Sequence, residues 1–218
     1  MANIFDIIGP IMIGPSSSHT AGAAKMGIIA RKLLGSEPQK AHIVLYDSFA
    51  KTGKGHGTDK ALIAGILGFS PDDERLKNSF TLAKEMGLEF SFEDGGSSEY
   101  HPNTARITLE GDGTCIDTVI ASVGGGMINV LEINGMAVSI KAELCTTIIF
   151  AQDAKGTIAN AAKVFTNYGI NIAFMQVFRF EKMGNAIMVF ETDQPVPKIV
   201  RDIIANNEYV HKIAYISN

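Results

Sequence analysis

The chain of 218 residues predicts an α+β fold in two units, on three observations. Helical periods dominate up to residue 86, whereas short β-forming runs broken by glycine turns fill 104–142. Residues 146–218 run strand, helix, strand, strand, helix, strand, which is the ferredoxin-like order. Hydrophobic residues make up 46% and charged ones 19%, enough apolar material to fill a core and too little charge for a disordered chain.

The elements follow in order. Residues 4–13 form an apolar lead-in broken by Gly9-Pro10. Ala23, Met26, Ile29, Ala30 and Leu33 recur at helical spacing and predict a helix over 18–34, closed by Gly35. A turn at 36–40 precedes a β-rich run at 42–47. Residues 48–57, with glycines at 53, 55 and 57, read as a connection, and 58–67 as a helix stopped by Gly68. A third helix is expected over 71–86, with Leu76, Phe80, Ala83 and Met86 facing the core. A strand at 88–92 and a long polar loop at 93–103 follow. Gly111-Asp112-Gly113 joins a hairpin of 105–110 and 114–121, and Asn134-Gly135 joins strands at 127–133 and 138–142. In the second unit, strands are expected at 146–150, 170–180, 186–190 and 210–216, with helices at 157–168 and 195–205.

Several function classes fall away. The net charge is −4 with no basic cluster, so nucleic acid is not an expected partner. No apolar run reaches the roughly 18 residues of a membrane span. The opening MANIFDIIGP lacks the basic-then-apolar pattern of a signal peptide, so a cytoplasmic location is expected. Cys115 and Cys145 belong to no metal-ligand spacing and read as two buried free thiols. An iron–sulfur cluster needs about four thiolates, which this chain does not have.

The most informative stretch is Gly14-Pro15-Ser16-Ser17-Ser18-His19-Thr20-Ala21-Gly22. Its hydroxyls sit where a helix begins. There, side-chain oxygens cap unpaired N–H groups, and the remaining N–H groups and the dipole favour an anion. His19 falls in the first turn, where the positive helix end disfavours imidazolium, so a neutral, proton-accepting His is expected. A second stretch, Gly53-Lys54-Gly55-His56-Gly57-Thr58-Asp59, again places a His and a Thr at a helix start. Its spacing is not that of a nucleotide-binding loop. His101, before Pro102, is a third and weaker candidate. Gly124-Gly125-Gly126 suits either a carboxylate cradle or a tight bend.

These residues carry a resemblance. The stretch GPSSSHTAG, the stretch GKGHGTD at 53–59 and Ser122-Val123-Gly124-Gly125-Gly126 occur in the order found in iron–sulfur-dependent L-serine dehydratases, also called L-serine ammonia-lyases. The likeness covers roughly 1–140. Residues 146–218 resemble an ACT domain, through the Asp153-x-x-Gly156 turn and Gly169-Ile170-Asn171-Ile172. The pair of domains, 1–143 and 146–218, is similar to the beta chain of the two-chain enzyme. The resemblance implies catalytic roles for His19 and His56. It implies substrate contacts from Ser16, Ser17, Ser18, Thr20, Thr58, Asp59, Gly124 and Gly125, and effector contacts from Asp153, Gly156, Asn171 and Ile172. It further implies L-serine as substrate, a 4Fe-4S cluster carried by an alpha chain, no metal on this chain, and self-pairing through the ACT domain. The first unit also looks like the allosteric substrate-binding domain of some D-3-phosphoglycerate dehydrogenases, which leaves a regulatory binding module as the competing reading.

Overall fold

A computed structural model describes residues 11–217. Most of the apolar lead-in and the side chain of Lys54 lie outside the described residues. Two compact units result, one ending at Lys141 and the other beginning at Ala142.

The first unit opens with a wide π-helical turn at Ser17–Gly22, which runs directly into helix α1 (Ala23–Leu34). Then come β1 (Lys40–Leu45), α2 (Asp47–His56), α3 (Thr58–Ile66), a 3-10 turn at Glu74–Asn78 and α4 (Ser79–Glu85). Strands β2 (Glu89–Asp94), β3 (Thr104–Gly111), β4 (Thr114–Gly124), β5 (Met127–Ile133) and β6 (Met136–Ile140) complete it. The sheet order is β2-β1-β3-β4-β5-β6, with β1 and β2 parallel and every other pair antiparallel.

Helix α1 lies across β3, β4 and β5 and against α3. Its Met26, Ile29, Ala30 and Leu33 are buried, as the helical period requires. Two glycines let α1 and α3 touch backbone to backbone. A Cβ on Gly65 would run into the Ala24 carbonyl, and one on Gly27 into the Leu62 carbonyl. Ala105, Ile107 and Leu109 alternate inward along β3. On the alternate positions, Arg106 pairs with Glu132 at 3.1 Å, and Tyr100 donates to the same carboxylate at 2.7 Å.

Two expectations change here. Residues 48–57 are not a plain connection: α2 is helical despite its two internal glycines. Phe49 is fully buried, and Gly57 closes the helix in the left-handed region at φ 70°, its N–H donating to the Gly53 carbonyl. The long polar loop secures the other end. Asp47 Oδ2 accepts from the Ser98 N–H and hydroxyl, both at 3.0 Å, while Ser48 N–H donates to the Pro102 carbonyl at 3.0 Å. The expected third helix is likewise shorter than 71–86. Asp73 breaks its start by accepting from the Arg75 N–H at 2.9 Å, so the first part winds only as a 3-10 turn. Leu76 and Ala83 are buried, Phe80 is half-buried against Phe90, and Met86 is 56% exposed at the helix end.

The second unit comprises β7 (Cys145–Gln152), α5 (Thr157–Asn167), β8 (Ile172–Arg179), β9 (Asn185–Thr192), α6 (Lys198–Ala205) and β10 (Val210–Ile216). The antiparallel sheet runs β10-β7-β9-β8, the ferredoxin-like arrangement expected. Ile149, Met188 and Phe190 pack with Phe165 of α5 and Val200 and Ile204 of α6 to make its core. Strand β8 is an edge, and Phe174, Met175 and Val177 on it are exposed. The cysteines differ from expectation. Cys115 is exposed and Cys145 half-buried, because each lies near the start of its strand.

Candidate functional site

Ser16 is extended and caps the π-helical turn. Its Oγ accepts the His19 N–H at 3.1 Å, and its carbonyl accepts the Thr20 N–H at 2.9 Å. The turn therefore presents His19 sideways, toward α2. On α2, Ser48, Thr52 and His56 are four residues apart and share one face. His19 Nε2 lies 3.3 Å from Ser48 Oγ and 3.1 Å from Thr52 Oγ1, while Nδ1 lies 3.4 Å from Ser16 Oγ. The His56 ring is 4.9 Å from that of His19, and its Nδ1 lies 3.1 Å from the Thr52 carbonyl oxygen. Phe49 meets the His19 ring edge-on at 5.1 Å and floors the group.

The electrostatics suit a neutral imidazole. Burial holds His19 below its ordinary range, and the neighbouring His56 lowers it further. Both causes act in the direction expected for a neutral His19. Two imidazoles, three hydroxyls and a helix opening thus converge where a proton acceptor and an anion could meet.

The remaining candidates fall at different distances from this group. Ser17 and Ser18 sit half-buried in the turn itself. Thr20 is buried beneath it, with Oγ1 donating to the His56 carbonyl at 3.5 Å. Thr58 opens α3 fully buried, and its Oγ1 has no hydrogen-bond partner. Asp59 instead lines a cavity of about 500 Å³ bounded by Leu45, Phe49, Phe80 and Phe92, and its Oδ1 accepts the Lys60 N–H. Gly124, Gly125 and Gly126 all have positive φ and form the tight turn between β4 and β5. Just before them, Ser122 presses its hydroxyl onto Gly22 at the end of the π-helical turn. His101 is exposed, and its Nδ1 accepts the Asn103 N–H, so it stabilises its own loop.

Sequence reasoning missed Ser48, Thr52 and Phe49. The signal was present in the four-residue spacing of Ser48, Thr52 and His56, but three nearby glycines argued against a helix.

In the second unit, Asp153 pairs with Arg179 and accepts the Met183 N–H at 3.2 Å, and Gly156 opens α5 at φ 88°. Asn171 lies at the other end of β8, with Nδ2 donating to Asp193 at 2.8 Å, and Ile172 packs on the core. Within one copy, the four candidate effector residues therefore divide between opposite ends of the sheet.

The chain matches the serine dehydratase beta chain family over residues 3–87 and the ACT domain family over 146–208. It is 38% identical to a probable L-serine dehydratase beta chain of Bacillus subtilis, covering 99% of this chain and 98% of that one. The chain belongs to the L-serine dehydratase beta-chain family. A second family member, the L-serine dehydratase beta chain of Peptoniphilus asaccharolyticus, is 36% identical over 97% of this chain and 96% of its own. L-serine dehydratase 2 of Escherichia coli is 33% identical over 59% of this chain and 33% of its own. The chain has two cysteines, fewer than the roughly four thiolates that hold a four-iron cluster. Its two cysteines stand in separate units, and no group of three or more His, Cys, Asp or Glu among the described residues could hold a metal ion.

Proposed function

We propose that this chain is the beta subunit of an L-serine dehydratase, an ammonia-lyase that converts L-serine to pyruvate and ammonia. The observation that carries the reading is the His19–His56 pair, set at a serine-rich helix opening and held by Ser16, Ser48 and Thr52. Dehydrating a β-hydroxy amino acid requires a grip on the carboxylate and a base for the α-proton. In this reading Ser16, Ser17 and Ser18 offer the grip at the helix opening, with the Gly124-Gly125 turn beside it, and the buried Thr20 supports it from beneath through the His56 carbonyl. His19, kept neutral, is the acceptor, and His56 is its partner. Thr58 serves from beneath, whereas Asp59 stands apart from the grip, in the cavity bounded by Leu45, Phe49, Phe80 and Phe92.

The 4Fe-4S cluster is assigned to an alpha chain, since the ligand set here does not fit it. His56 and Thr52 are exposed on this chain, which supports a site completed by that partner. A cytoplasmic location is part of this reading of a metabolic two-chain enzyme. Among the described residues no helix is long and apolar enough to cross a membrane. The second unit is assigned to self-pairing through the exposed edge β8. Antiparallel pairing of two β8 edges sets the Asp153 and Gly156 end of one copy beside the Asn171 and Ile172 end of the other, where a small amino-acid effector could lie.

The test is His19→Ala in the enzyme reconstituted with its alpha chain. Loss of a general base lowers kcat by at least about 10²-fold. Unchanged kcat with a raised KM would instead assign His19 to substrate binding.

A further inference from the structure

The hydrogen bonds around Thr52 decide which nitrogen of each imidazole carries a hydrogen toward it. The Thr52 hydroxyl donates its single hydrogen to the Ser48 carbonyl at 2.8 Å, and a carbonyl can only accept. Toward His19 Nε2, 3.1 Å away, Thr52 Oγ1 can therefore only accept. The hydrogen in that contact belongs to Nε2, and Ser48 Oγ at 3.3 Å shares it. On the other side of the ring, Ser16 Oγ already accepts the His19 N–H, so its own hydrogen can rest on Nδ1 and turn to an incoming carboxylate, which bares the Nδ1 lone pair. The His56 Nδ1 faces the Thr52 carbonyl and must donate, so on that ring it is Nδ1 that carries a hydrogen toward Thr52.

We propose that Thr52 is a positioning residue that locks neutral His19 as the Nε2–H tautomer, so that Nδ1 is the atom that takes the substrate α-proton. The proposal rests on the reading of His19 as proton acceptor. Stereochemical economy favours Nδ1. The α-carbon is bonded to the carboxylate, so the accepting atom must lie beside the carboxylate grip. Nδ1 faces Ser16 at the helix opening, whereas Nε2 faces α2. Among the described residues His56 faces the ring and lowers the basicity of His19 without deciding its tautomer. Thr52 is thus a hub. Its hydroxyl orients one imidazole and its carbonyl the other, and only the first depends on the side chain.

The experiment compares Thr52→Val, which keeps the shape and removes the acceptor, with Thr52→Ser, which keeps it. In the full chain carrying 15N-labelled histidine, the ring nitrogen shifts of His19 at pH 8 report the tautomer directly. The wild type and Thr52→Ser should show a protonated Nε2 and a bare Nδ1. Thr52→Val should shift both nitrogens toward a mixture. In the reconstituted enzyme, Thr52→Val should lower kcat about 10-fold with KM held within about twofold, and Thr52→Ser should restore it. A protonated Nδ1 in the wild type, or ring shifts unmoved by Thr52→Val, would overturn the lock. If the shifts behave as expected but His19→Ala retains full kcat, the lock stands and the assignment of His19 as acceptor is overturned.

Discussion

His19 is a proton acceptor only if the fold keeps it neutral, and this has a consequence for stability. Burial and the adjacent His56 push it below its ordinary value of 6.5. In the unfolded chain the same imidazole takes its proton near that ordinary value, before the folded one does. Its contribution to stability is therefore whole above pH 6.5 and is lost as the pH falls through 6.5 toward the folded value. His19→Gln removes this dependence. Urea midpoints measured at pH 7.5, 6.5 and 5.5 should fall less steeply for the variant than for the wild type; equal slopes would show that His19 is not shielded. Asp47 is another residue held out of its ordinary range. Hydrogen bonds from the Ser98 N–H and hydroxyl draw its carboxyl down, which keeps the start of α2 anchored to the loop at neutral pH.

At the scale of elements, the site depends on how closely α1 and α3 approach. Ser16–Thr20 stand at the head of one and Thr58 at the head of the other, and α2 is the segment between β1 and α3. Gly27 and Gly65 set the spacing, because each faces a backbone carbonyl of the opposite helix. Gly65→Ala should cost about 1–3 kcal/mol as overpacking, despite the better helix propensity of alanine. Denaturant unfolding would check this, and a neutral or stabilising effect would show that the helices can part without cost. The helix α2 is the element whose nature decides the chemistry. Read as a coil, it would scatter Ser48, Thr52 and His56; as a helix, it lines them up beneath His19.

At the scale of the whole molecule, this chain has an incomplete look on two surfaces. The histidine pair is open on one, and the edge strand β8 exposes Phe174, Met175 and Val177 on the other. An exposed apolar edge is a template for strand pairing. Val177→Lys in β8 should therefore shift the chain toward monomer in sedimentation velocity, while circular dichroism stays unchanged. Unaltered association would assign self-pairing to another surface. The open histidine pair is the surface proposed to meet the alpha chain, so the two contacts are separable by mutation.

The amino-acid order alone determined the α+β class, the ferredoxin-like second unit and the serine-rich helix opening. Each is written in local periodicity, in turn residues or in a cap, and local signals need no knowledge of distant contacts. It could not determine that Asp47–His56 is a helix, because glycine lowers helix propensity, a loss that the burial of Phe49 and the tether of the 93–103 loop offset. Nor could it place Asp59 in a separate cavity, or bring Ser48 and Thr52 to His19. The meeting of Ser48 and Thr52 with His19 follows from the packing of α2 against the π-helical turn, a contact between segments some thirty residues apart, which only the tertiary structure decides.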